Sequence, residues 1–155
     1  MSPQIATETK LSRAEVLEFL RPRHRGILAT TRRDGRPQLS PVTLGISSND
    51  RIVISTYPER AKARNVRRNP AVSLCVLSDG GDPWIQVDGT GRVLDLPAAM
   101  DGLVDYYRCI SGEHPDWDEY RAAMERQAKC LLEIDIESWG PQAQGGFPAR
   151  LVTAD

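Results

Sequence analysis

An Asp34-Gly35 pair stands between two short runs of alternating character, and it fixes the first piece of topology. Asp-Gly flanked this way is a strong type I′ hairpin signal, because both central residues take positive φ, and the strands it joins must lie antiparallel. The strand before it starts at Gly26 and carries Ile27, Leu28 and Thr30. The return strand runs through Gln38, Ser40, Val42 and Leu44. Residues 47–50 form a second turn, and 51–56 (RIVIST) a third strand rich in β-branched residues. Three strands joined by tight turns within 26–56 read as an antiparallel meander.

Around this unit the pattern switches between periods. Ser12 and Glu15 make a capping box, in which hydroxyl and carboxylate each satisfy an orphan amide. Behind it Val16, Leu17, Phe19 and Leu20 give a helix with one apolar stripe, stopped near Pro22. Pro58 opens a short helix over 59–68, closed by Asn69-Pro70. Residues 71–77 (AVSLCVL) read as a central strand, 79–83 (DGGDP) as a turn, and 84–96 as a long strand. Gly89 and Gly91 inside that strand predict a bulge or a sharp bend. Helices over 98–110 and 115–127 precede a last alternating strand, 130–136. Residues 1–10 read as a disordered N-terminal segment, 11–140 as one domain, and 141–155 as an irregular tail. About six antiparallel strands with inserted helices suit a closed or partly closed barrel, and a β-sandwich uses the same parts.

The chain has 155 residues and a net charge of −1, so the whole molecule has no bias toward nucleic acid or an anionic membrane, and any basic site is local. No apolar run is long enough to span a bilayer, and the polar start lacks the h-region of a secretory signal. Cys75, Cys109 and Cys130 are odd in number and far apart. They read as buried thiols in a reducing compartment, which makes the cytoplasm the expected location.

The sharpest constellation is Ser55-Thr56-Tyr57-Pro58-Glu59-Arg60-Ala61-Lys62-Ala63-Arg64-Asn65. Two hydroxyl residues end a strand, a helix begins at once, and Arg60 and Lys62 fall in its first turn. Free amides and a positive dipole at a helix start favour an anion. Arg60 adds a bidentate fork and Lys62 a point charge, both suited to phosphate. Two cations there oppose the dipole, a local penalty that points to function. A solvated basic helix is the plain competing reading of the same five basic residues, Arg60 to Arg68.

The runs GILATTRRDGRPQLSPV, ERAKARNVRRNPAVSL, WIQVDGTGRV and YYRCISGEHPDWDEYRAAM resemble the pyridoxamine 5′-phosphate oxidase-like superfamily, and within it the F420-dependent split β-barrel oxidoreductases. The resemblance implies a mainly β fold, a six-stranded antiparallel split barrel with flanking helices, working as a homodimer. It implies that Arg60 and Lys62 grip the cofactor phosphate, with Asn65 supporting the same loop. Gln38 and Ser40 match positions that approach the ring, and Ser55 and Thr56 the strand end along the ribityl chain. The family's cofactor lies between two subunits, which places Trp84 and Gln86 toward the partner's ring.

FMN ends in one phosphate, whereas coenzyme F420, a deazaflavin, continues through a phosphodiester and lactate to several glutamates. That longer anion needs further cations, which Arg64, Arg67 and Arg68, with Arg21, Arg23 and Arg25, can supply. The resulting expectation is an F420H2-dependent reductase passing hydride to an electron-poor small molecule, with no catalytic side chain nominated and no metal. The alternatives are an FMN-dependent oxidase or reductase and a non-catalytic cofactor- or haem-binding protein. His24 and His114 read as turn and helix-start residues, with no context for an axial ligand.

Overall fold

The computed structural model describes residues 4–152. Strand β1 (Thr7–Thr9) leads to helix α1 (Arg13–Leu20), whose capping box forms as expected: Ser12 Oγ accepts from Glu15 N at 3.2 Å, and Ser12 N donates to Glu15 Oε1 at 3.0 Å. The hairpin β2 (Arg25–Thr31) and β3 (Pro37–Thr43) follows, then the short β4 (Gly45–Ile46) and β5 (Ile52–Thr56). Helix α2 (Ala61–Arg68) precedes β6 (Ala71–Ser78) and the long β7 (Gly81–Leu94). Helices α3 (Met100–Ser111) and α4 (Trp117–Gln127), strand β8 (Cys130–Trp139) and β9 (Gln142–Gln144) complete the elements before a 3-10 turn at Ala149–Leu151.

The strands form one antiparallel sheet in the order β3-β2-β6-β7-β8-β5-β4, with β9 beside β7 and β1 beside β9. The sheet curls until β3 comes back near β5, which makes a half-barrel with a seam. The fold is therefore the mainly β split barrel expected, with more strands than six. The extra strands escape sequence reading because β4 has two residues and β1 and β9 are wholly exposed or polar stretches. Residues 7–9 and 142–144, read as disordered segment and irregular tail, pair with each other, Glu8 opposite Ala143.

Two local expectations are corrected. The meander does not form, because β5 pairs with β4 and β8 rather than with β3. Fully buried Leu44 makes the crossing, its N–H bonded to His24 O at 3.0 Å and its side chain filling the space left by Gly26. The 32–36 turn is not type I′ either. Only Gly35 has positive φ (84°), and Arg32 and Arg36 close the loop as Arg32 N–H donates to Arg36 O at 2.9 Å. Asp34 keeps negative φ and accepts the Arg36 amide on its carboxylate at 3.0 Å, which favours the longer loop with a left-handed glycine.

Alternation sorts the strands into two cores. Leu28, Ile54, Leu74, Ile85, Leu132 and Ile134 point into the barrel, where Val16 and Leu20 of α1 and Val66 of α2 close it. Val53 and Leu131 point outward and pack under α3 and α4 with Leu103, Val104 and Tyr120. In this second core Tyr107, His114, Trp117 and Tyr120 meet with ring centroids 5.0–5.7 Å apart. The expected bulge is present, as the β7–β8 register shifts between Asp88 and Gly89. Among the described residues no helix is long and apolar enough to cross a membrane.

Candidate functional site

β5 delivers the chain to α2 through a turn in which Arg60 N–H donates to Tyr57 O at 3.1 Å. The turn delays the helix, so Arg60 occupies the N-cap with extended backbone rather than the first turn, and Lys62 is the second helical residue. No side chain caps this end. The first backbone bond closed is Arg64 N–H to Arg60 O at 3.1 Å, which leaves the amides of Ala61, Lys62 and Ala63 for an anion. Arg60 is exposed and Lys62 half-buried. Burial lowers the proton affinity of Lys62, and the Arg60 guanidinium lowers it further. An anion would relieve both effects.

Asn65, three residues on from Lys62, faces inward and is buried. Its amide donates to Thr30 Oγ1 (3.1 Å), and Thr30, also buried, donates to Gln38 Oε1 (3.2 Å). Arg68 completes the relay through Asn65 Oδ1 (2.8 Å) and Thr31 O (3.0 Å). Two of the expected site residues, Gln38 and Asn65, are thus joined by a third that sequence reading passed over. Thr30 reads as an ordinary strand residue in sequence, and only the register that sets it opposite Gln38 shows its use. Beside Gln38 on the same side of β3, Ser40 Oγ is buried with no hydrogen-bond partner among the described residues. An orphan hydroxyl here fits a ligand that brings its own donor or acceptor.

The other expected residues separate by strand phase. Thr56 points into the barrel and is buried, whereas Ser55 points out toward α3. There the Tyr106 hydroxyl donates to Thr43 O at 3.1 Å; burial raises its pKa, with the Ser55 backbone partly offsetting this. Trp84 and Gln86 lie on the outer face of β7, opposite to the side carrying Gln38 and Ser40, so one chain does not bring the two pairs together. On that outer face Asp88 accepts from Ser73 Oγ (2.6 Å) and from Gln86 Nε2 (3.2 Å), which orients the Gln86 amide.

The arginines regroup. Arg64, Arg67 and Arg68 line one cavity with Arg32 and Arg33, the latter two missed because the RRDG run was read only for its turn. Arg21 pairs with Asp50 at 2.9 Å, and Arg23 bonds Ser78 Oγ (2.7 Å) while stacking on Phe19. Neither lines the cavity at α2, and Arg25 opens β2 on the outer face. His24 Nδ1 is bonded to Leu44 O (2.8 Å), and His114 Nδ1 accepts the Asp116 amide (2.9 Å). Among the described residues no three metal-ligating side chains converge. The cysteines are free; Cys130 is buried, its thiol pushed up to about 11 chiefly by burial, while Cys75 and Cys109 are half-buried.

Several solved structures share this architecture. A conserved hypothetical protein from Mycobacterium tuberculosis is 21% identical, with a TM-score of 0.72 over 92% of this chain and 89% of that one. An F420 reductase is 21% identical, with a TM-score of 0.59 over 79% of this chain and 94% of that one. The heme storage protein HutZ from Vibrio cholerae is 18% identical, with a TM-score of 0.62 over 87% of this chain and 95% of that one. At these identities the likeness is one of fold. The family model described as pyridoxamine 5′-phosphate oxidase matches residues 12–143, most of the length, and the chain belongs to that family.

Proposed function

We propose that this protein is a homodimeric F420H2-dependent reductase acting on an electron-poor small molecule. The observation that carries the reading is the uncapped start of α2, where Arg60, Lys62 and free amides make a seat for phosphate. Arg60 would hold two phosphate oxygens with its fork and Lys62 would add a point charge. Ser40 Oγ and the Gln38 amide, fixed through Thr30, would orient the ring system from the β3 side. Reduced deazaflavin, when bound, supplies a hydride to an electron-poor C=C or C=N bond. The fold likeness to an F420 reductase is consistent with this choice, and an FMN enzyme would use the same seat for its terminal phosphate. Titrating the protein separately with FMN and with F420, then assaying anaerobic hydride transfer to a panel of enones, tests it. The expected result is tighter binding of F420 and turnover with F420H2. Protein that purifies yellow with stoichiometric FMN and turns over with FMNH2 alone overturns the cofactor assignment.

The homodimer has its own support. The outer face of β3, β2, β6 and β7 carries Leu39, Pro41, Ile27, Cys75, Leu77 and Trp84, and none of them belongs to either core. Leu39 is 62% exposed and Trp84 37% exposed, a large apolar load for one face of a single chain. A two-fold pairing over this face would cover it and present Trp84 and Gln86 of each copy to the seat of the other. Light scattering should therefore give a dimer at micromolar concentration. Leu39→Glu, which buries an unpaired carboxylate in that interface, should give monomer. A wild-type monomer removes both the dimer and the shared site.

A further inference from the structure

A buried polar relay crosses from α2 to β3, and each bond in it has a fixed direction. Arg68 can only donate, and its guanidinium reaches Asn65 Oδ1 at 2.8 Å and the Thr31 carbonyl at 3.0 Å. That settles which end of the Asn65 amide is oxygen and turns its nitrogen onto Thr30 Oγ1 at 3.1 Å. Thr30 accepts there, so its own proton goes on to Gln38 Oε1 at 3.2 Å. The Gln38 nitrogen lies against the Leu39 carbonyl at 3.1 Å, an atom that can only accept. Both ends of the Gln38 amide are thereby oriented. A flip would set oxygen against oxygen at Leu39.

The packing of α2 does not call for this relay. Ala63 and Val66 bury the helix against the barrel, and Thr30 and Asn65 are buried beside them. An apolar pair of the same size in those two places would dock the helix about as well, whereas a buried polar pair is tolerable only with every partner in position. Arg68 is exposed, yet both of its bonds run inward to these acceptors and none to a solvent-facing acid. The relay leaves one N–H of Gln38 without a partner among the described residues. It lies on the side of β3 where Ser40 Oγ is likewise buried and unpartnered.

We infer that Thr30 is a positioning residue, which with Asn65 and Arg68 locks Gln38 as a hydrogen-bond donor toward the bound ligand. The ligand group lying on β3 must then be an acceptor, such as a ring carbonyl, since an N–H in that place would face another N–H. The orientation is set from α2. The helix that seats phosphate at its start therefore also fixes, from its last turn, the polarity that the ring meets. The inference rests on the reading of β3 as the side that meets the ring, and adds which way its amide points and what holds it there. A relay that only docks α2 is the competing account, and it predicts a loss of stability alone.

Two ligands test it: the deazaflavin phosphate without its glutamates, and the same ring and ribityl chain without phosphate. Dissociation constants come from fluorescence titration, with the absorption band of the bound ring as a second readout. Thr30→Val keeps the shape and removes the hydroxyl. It should weaken both ligands by the same factor, about 5, and shrink the band shift seen on binding. Thr30→Ser keeps the hydroxyl and should bind within twofold of wild type. Gln38→Leu should lose at least as much as Thr30→Val, whereas Arg60→Ala should weaken only the phosphorylated ligand. Unchanged constants in Thr30→Val, or equal losses in Thr30→Val and Thr30→Ser, overturn the inference, and a loss in Gln38→Leu then leaves the ring side standing. Unchanged binding in Gln38→Leu, or no binding of either ligand by wild type, overturns that side and the inference with it. Should Thr30→Val fail to fold, Arg68→Met decides on the phosphate-free ligand, where its charge has no phosphate to meet. A loss of about twofold or more supports the relay, and none overturns it.

Discussion

Arg60→Ala and Lys62→Ala should each weaken binding of the phosphate-bearing cofactor by about 10- to 100-fold, since a charge-assisted hydrogen bond contributes roughly 1.5–3 kcal/mol. The structure orders the two. Arg60 is exposed at the N-cap, where solvent screening puts its loss near the lower end; half-buried Lys62 belongs near the upper. Arg60→Lys should recover only part of the Arg60→Ala loss, because an ammonium cannot reproduce a two-pronged contact. Without ligand, Lys62→Ala should leave the fold intact or slightly more stable, as it removes a half-buried cation from the positive end of a helix. The pH response has a definite sign. With Lys62 giving up its proton more readily than an ordinary lysine, affinity should fall as pH rises through that lowered value, earlier than a free lysine would dictate. Calorimetry returning constants within twofold of wild type for both alanine variants would make α2 a merely solvated basic helix.

Gly89→Ala should destabilise the fold by about 3 kcal/mol, a fall in melting temperature of roughly 6–12 °C for a domain of this size. A Cβ at Gly89 would run into the carbonyl of Asp135 on β8, and would lie 2.9 Å from Ile134 Cγ2. The backbone of the neighbouring strand cannot step aside without breaking the ladder at the bulge. Gly91, two residues on, is the control. Its Cβ would meet only side-chain atoms, Val66 Cγ1 at 3.2 Å and Leu132 Cδ1 at 3.3 Å, which can give a few tenths of an ångström. Gly91→Ala should therefore lose about 1 kcal/mol or less. Urea denaturation that ranks the two equally contradicts this account of the bulge.

What the residues disclosed in advance was short-range chemistry. The Ser12–Glu15 box, the glycines of β7 and the strand-to-helix step at Arg60 and Lys62 each lie within a few residues of the structure they specify. Strand order was not legible, because the β4–β5 hairpin is announced by two residues and Leu44 carries the chain to the far edge. Facing was legible only in part. The alternation that buries Thr56 turns Ser55 away from it, so adjacent hydroxyls that looked like one feature serve opposite sides of the sheet. The arginine-lined cavity was hidden for another reason: Arg33 and Arg64 are far apart in sequence, and a turn signal had already accounted for the RRDG run.

The Tyr106 hydroxyl, bonded to the carbonyl of Thr43, fastens the helical layer to the seam where the curled sheet almost meets itself. Elsewhere α3 and α4 rest on the outside of β4, β5 and β8 through a core that shares no residue with the barrel interior, and Asp105 of α3 accepts the Ser48 amide at 3.0 Å. Tyr106→Phe should therefore loosen α3 from β3 while the barrel core stays packed, seen as faster amide exchange in α3 than in β2 or β6.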